Sequence, residues 1–145
     1  MADRAAEHPP STTVAAIATA PGGPIGVIRV SGPAAATIGA ALLRPWPAEP
    51  ESHRLYYGRV VAGEGQPLDS AQRSGAPFLD RVLFCLMRGP RSFTGEDVLE
   101  IHGHGGARQQ KDLLDAVLAA GAAPAGPGEF SLRAFLNGRL DLTEA

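Results

Sequence analysis

The chain has 145 residues, with 13 basic and 15 acidic side chains, a formal net charge of -2 and 44% hydrophobic residues. That length suits one domain with a real core, and the charge balance excludes the strongly basic footprint of a nucleic-acid or membrane-surface binder. A single cysteine, Cys85, rules out an intrachain disulfide framework; the opening residues lack the apolar stretch of a secretory signal, and no run approaches the roughly 20 apolar residues of a membrane span, so a cytoplasmic protein without a membrane role is expected.

Residues 1–11 carry Pro9-Pro10 and no periodic pattern, and read as a flexible tail before a domain over 12–140. TTVAAIAT and GVIRVSG are short β-branched runs separated by the turn sequence APGGPI, which predicts strand, turn, strand. SGPAAATIGAALL predicts a helix with Ser31 or Gly32 as N-cap, Pro33 at its first position and Ile38 and Leu42 on its apolar stripe. Arg44-Pro-Trp-Pro ends it, because the residue before a proline is driven out of the α region. RLYYGRVVA is a third strand. DRVLFCLM is a fourth, whose nearly unbroken apolar run predicts burial on both faces and places Cys85 as a small buried thiol. Between these two strands, AGEGQPLDSAQRSGAP reads as a long exposed loop.

DVLEIHGH is a fifth strand, followed by the helix ARQQKDLLDAVLAAG, with Leu114, Val117 and Leu118 on one face and Gly121 as its stop. AAPAGPGE then reads as loop and EFSLRAFL as a short helix closed by Asn137-Gly138. In LDLTEA, Asp141 and Glu144 have capping-box spacing, so residues 141–145 read as the start of a further helical domain, and the chain as the front module of a longer protein. The sum is an α+β fold: one mixed sheet of about five strands with about three helices.

Three groups of residues suggest chemistry. Glu100, His102 and His104 alternate along the fifth strand, and a period of two puts them on one face; two imidazoles and a carboxylate suit zinc or non-haem iron, so a small metal-dependent enzyme is the alternative reading. The glycines of His104-Gly105-Gly106-Ala107 open a helix, which suits either an anion held by backbone N–H groups or a tight strand-to-helix turn. Arg29 lies mid-strand in VIRV and Glu100 at the equivalent place in VLEI, so the two either pair or converge on one polar ligand, or both face water. No GxxxxGK[ST] phosphate-binding loop occurs, so the chain alone is not expected to hydrolyse a nucleotide, and no catalytic base stands out.

The blocks GVIRVSGP, RSFTGEDVLEIHGHGG and PGEFSLRAFLNGRLDLTEA, in this order, resemble the amino-terminal domain of the tRNA modification GTPases of the MnmE/TrmE type, from about Thr13 to the last residue. The resemblance implies a folate-binding α+β module, similar to half of the folate-binding unit of aminomethyltransferases, that forms a homodimer. It implies that Arg29, Glu100 and Arg139 line a site for 5-formyltetrahydrofolate or a related tetrahydrofolate. It further implies that the whole protein modifies C5 of the wobble uridine of certain tRNAs with a flavin-dependent partner protein, and that GTP, magnesium and potassium belong to a domain beyond this chain. Two stretches depart from the family pattern: the loop Ala20 to Ile25 is a residue shorter and lacks an arginine, and Ser70 to Phe78 looks like an insertion.

Overall fold

A computed structural model of the chain describes residues 8–61 and 79–139. The loop expected between the third and fourth strands, the insertion Ser70 to Phe78 and the capping box of Asp141 and Glu144 lie outside the described residues. Seven strands form one sheet: β1 (Val14–Ile17), β2 (Ile25–Ser31), β3 (Leu43–Arg44), β4 (Leu55–Val60), β5 (Asp80–Met87), β6 (Val98–His104) and β7 (Ala123–Pro124). Their order is β3-β4-β5-β6-β2-β1-β7, antiparallel except for the parallel β1–β7 pair. The five expected strands are all present. The other two, β3 and β7, are two residues long, too short to leave a periodic signature, and they extend the sheet at its two edges.

Three helices occur among the described residues: α1 (Ala35–Leu42), α2 (Ala107–Ala119) and α3 (Glu129–Leu136). Ile28, Val30, Val82, Phe84, Leu86, Leu99 and Ile101 project from one face of the sheet and bury themselves against Ile38 and Leu42 of α1 and Leu113 and Val117 of α2. The hydrophobic gain from such burial, about 25 cal/mol per Å² of apolar area, is what fixes the register, since a one-residue slip would turn the core residues to the other face. The stripe of α2 is centred on Leu113, Ala116 and Val117 rather than on Leu114 and Leu118, which pack at its margin.

Several expectations are corrected. The β5 strand alternates instead of being buried on both faces: Val82, Phe84 and Leu86 are buried, while Arg81 and Leu83 are exposed and Cys85 is half-buried. Its apolar run fits a strand covered by helices on one side only. Neither Ser31 nor Gly32 caps α1: Ser31 is the last residue of β2, and the hydroxyl of Thr13, just before β1, accepts the Ala34 N–H at 2.8 Å. The tail is described from His8 onward, and there it is tied down, with His8 Nδ1 2.9 Å from Glu129 Oε1 of α3. The glycines before α2 serve close packing: a Cβ at Gly105 would collide with the Gly23 carbonyl, and Gly105 accepts the Gly22 N–H at 2.8 Å. The shortened loop Ala20 to Ile25 is thereby laid against the start of α2, and the buried Gln110 amide donates to the Gly105 carbonyl at 2.7 Å.

Candidate functional site

The uncovered face of the sheet carries the polar residues of the central strands. β2 and β6 pair with Arg29 directly opposite Glu100, and β5 places Cys85 on the other side of Glu100. In a cross-strand pair the side chains are close enough to meet, and they do: Arg29 Nη2 and Nε lie 3.0 and 3.1 Å from Glu100 Oε2. The second carboxylate oxygen, Oε1, accepts from His102 Nε2 at 3.0 Å. Glu100 therefore holds a guanidinium on one oxygen and an imidazole on the other, at 20% exposure.

Burial alone would raise the Glu100 pKa, but the hydrogen bonds from His102 and Arg29 and the Arg29 charge outweigh it and hold the carboxyl below its ordinary value. The same carboxylate, after burial itself, raises the Cys85 thiol, so Cys85 is kept as the neutral thiol and is no nucleophile.

Two aromatic rings flank the pair. The Arg29 guanidinium lies 5.5 Å from the centre of Phe93 and 5.8 Å from that of Phe130, within the range of a cation–π contact. Phe130 belongs to α3, and Phe93 to the loop between β5 and β6. Arg139 is brought to this loop: its Nε donates to the Ser92 carbonyl at 3.2 Å, next to Phe93. Of the three residues expected at the site, Arg29 and Glu100 thus touch directly, and Arg139 braces the loop that roofs them.

What holds α3 across this end of the sheet is a buried ionic cluster that the sequence reading missed. Arg133 of α3 donates to both Glu96 carboxylate oxygens at 3.1 Å and to Glu129 Oε2 at 3.0 Å, and to the Thr12 carbonyl at 2.8 Å. Ser31 donates to Glu96 at 2.8 Å and hydrogen-bonds Thr94 at 2.7 Å. Ser92 bonds the Glu96 carbonyl, and Asn137 Nδ2 donates to the Thr94 carbonyl at 2.8 Å. The loop bearing Phe93 is therefore pinned from both sides. The Glu129–Arg133 spacing of four was visible in the sequence as a helical ion pair; its burial depends on Glu96 from a distant loop, which no local pattern encodes.

The three-ligand metal reading is not supported. His104 turns away from Glu100 to Asp80, with Nδ1 2.6 Å from Oδ1 and its backbone N–H on Oδ2 at 2.9 Å. Among the described residues no group of three histidine, cysteine or acidic side chains is placed to hold a metal ion. Among the described residues, too, no helix is long and apolar enough to cross a membrane.

Comparison with known proteins accords with the blocks that frame this site. A family model described as the N-terminus of the GTP-binding protein TrmE matches residues 13–139, a stretch that includes Arg29, Glu100 and Arg139. The chain is 51% identical over 135 residues to the tRNA modification GTPase MnmE of Chloroflexus aurantiacus, covering 92% of this chain and 27% of that protein. It is 54% identical over 140 residues to the protein of the same name from Parasynechococcus marenigrum, covering 93% and 29%. With that of Geobacter metallireducens it shares 50% identity over 136 residues, covering 92% and 28%. The chain thus spans less than a third of the length of these relatives.

Proposed function

This chain belongs to the family of TrmE N-terminal domains, and on that footing we propose that it is the folate-binding, self-pairing module of a tRNA modification GTPase. The observation that carries the reading is the Arg29–Glu100 pair, half-buried on an open sheet face between Phe93 and Phe130. A pterin offers an amino group and an adjacent ring N–H along one edge, and the two oxygens of the ionised Glu100 match that edge as paired acceptors. The flanking rings supply apolar faces for a fused bicycle. Arg29 and Arg139 serve the carbonyl and formyl oxygens of 5-formyltetrahydrofolate, with Arg139 entering from the braced loop. The donor set therefore fits a reduced folate.

The described residues of the site bind and orient; none among them has the placement of a catalytic base. When bound, the folate supplies a one-carbon unit for the modification of C5 of the wobble uridine. A flavin-dependent partner protein shares that reaction in the cytoplasm, and GTP, magnesium and potassium act in the further length that the relatives possess. Leu55 and Phe93 stand exposed on the same side of the sheet as the pair, and a second copy of the chain would cover them, which is the reading for a homodimer.

Titration calorimetry with 5-formyltetrahydrofolate tests the site. A hydrogen bond to a charged group contributes about 1.5–3 kcal/mol, so Glu100→Gln is expected to weaken binding at least about tenfold. Unchanged affinity would overturn the assignment. Light scattering on the eluting protein tests self-pairing, with a monomer at high concentration as the contrary result.

A further inference from the structure

The two oxygens of Glu100 are held by different partners, and the difference gives the site a direction. Arg29 of β2 stands on Oε2, and His102, two positions further along β6, stands on Oε1. A carboxylate held ionised only accepts, so the hydrogen of the His102 contact belongs to Nε2. In the neutral imidazole that leaves Nδ1 with a lone pair and no hydrogen. This Nδ1 meets no partner among the described residues and is not buried, whereas the Nδ1 of His104 is taken by Asp80.

His102 also lines a cleft of about 240 Å³, with Ile25, Tyr57 and Leu83 as its apolar walls. In the opposite direction the face is closed: Ser31, two positions from Arg29 on β2, is fully buried and hydrogen-bonded to Thr94 and Glu96. A flat ligand seated on Glu100 therefore extends over His102 into the cleft.

We infer that His102 reads the oxidation state of the pterin, its Nδ1 accepting the N8–H that dihydro- and tetrahydrofolates carry and fully oxidised folic acid lacks. This rests on the folate reading of the Glu100 site. A guanidinium only donates, so Arg29 draws the pterin carbonyl to its side of the carboxylate. The carbonyl adjoins the ring N–H, which then falls to Oε2, and the amino group falls to Oε1. Past the amino group the ring continues along its N1 and N8 edge, and that edge is the one turned toward His102. In a reduced pterin N8 is a donor and meets the Nδ1 lone pair. In folic acid N8 is itself an acceptor, and two lone pairs oppose each other beside apolar walls. A site built to hydrogen-bond one N–H of its ligand rejects the analogue lacking it, because the polar atom of the site is then left unmet.

The test is calorimetric titration at about pH 8, where an ordinary imidazole is neutral, with 7,8-dihydrofolate and with folic acid. Neither carries a formyl group, and the two differ only in the hydrogens on N8 and on the adjoining ring carbon. Dihydrofolate is expected to bind at least about tenfold tighter, equivalent to 1.4 kcal/mol. Equal affinity, or a preference for folic acid, overturns the inference while leaving the Glu100 site standing, and this comparison needs no variant. His102→Phe keeps a ring without its nitrogens and should bring the ratio to about one. His102→Asn, whose amide oxygen occupies the same branch position as Nδ1, should keep most of the preference. Were His102 only a brace for Glu100, His102→Phe would weaken both folates by the same factor; a ratio that stands in that variant overturns the reading. Thermal melts that match the parent chain establish that the variants fold. Binding of neither test folate nor of 5-formyltetrahydrofolate overturns the inference and the folate reading together.

Discussion

Arg133 is the residue on which the roof of the site depends, and replacing it by methionine measures that dependence. Its guanidinium is 6% exposed and meets Glu96 and Glu129, themselves 13% and 3% exposed. Arg133→Met keeps much of the apolar stem but leaves these carboxylates without their cation. Removing one member of a buried ion pair costs about 3–5 kcal/mol, because the remaining charge stays desolvated. His8 still meets Glu129, which favours the low end, about 3 kcal/mol. For a chain of 145 residues the unfolding entropy is roughly 0.3 kcal/mol/K, so the midpoint should fall by about 10 °C. Urea unfolding followed by the fluorescence of the single tryptophan, Trp46, stacked on Phe84 in the core, reads the change. Arg54→Met is the control, since its partner Glu51 is 70% exposed and such pairs contribute at most about 1 kcal/mol. A loss below about 1 kcal/mol for Arg133→Met would refute the view that this cluster is a buried, charge-balanced unit.

The sign of its pH dependence is fixed as well. Burial would raise the Glu129 pKa, but the Gly126 N–H, His8 and Arg133 outweigh it, and the folded value is lowered; stability from this group is present above the unfolded value of about 4.3 and is lost as pH falls through the lower folded one. The gap between the parent chain and Arg133→Met should therefore narrow in acid. Glu100 obeys the same rule, so affinity for 5-formyltetrahydrofolate is expected to hold through pH 5 and to fail only below the ordinary carboxylate range, as calorimetry across a pH series would show. Gly39→Ala should destabilise by about 1 kcal/mol or more, despite a propensity gain of similar size in a helix: the new Cβ would lie 2.6 Å from the Trp46 ring, and a stabilised variant in urea would count against the packing. Thr13→Val removes the hydroxyl, just before β1, that accepts the Ala34 N–H at the start of α1 and should cost about 1 kcal/mol in the same assay.

The pairing of Arg29 with Glu100 was legible because both stand mid-strand in runs whose period of two leaves one face apolar. The same period grouped Glu100, His102 and His104, and that grouping held for the first two only. His104 lies where β6 gives way to the turn, and Asp80, on a neighbouring strand, captures it. Register across strands is not written in either strand alone. Phe93 and Phe130 left no signal, since one is in a loop and the other in a helix of mixed character, and only the fold brings them to one guanidinium. The apolar run of β5 was read as doubly buried because periodicity cannot tell a second layer of helices from an open face that carries a few exposed apolar side chains.

The Arg29–Glu100 contact joins residues 71 apart in the chain. Hairpins between neighbouring strands close early and at small entropic cost, whereas a ladder joining distant segments forms slowly because the intervening loop must be closed first. β2 and β6 are joined by such a ladder, with β3, β4 and β5 between them in sequence. A nascent or refolding chain can thus acquire its helices and the β4–β5 pair while still blind to ligand. Recovery of binding during refolding would clock the closure of this non-local seam, and a ligand present from the start would act on a late step of folding, not the first.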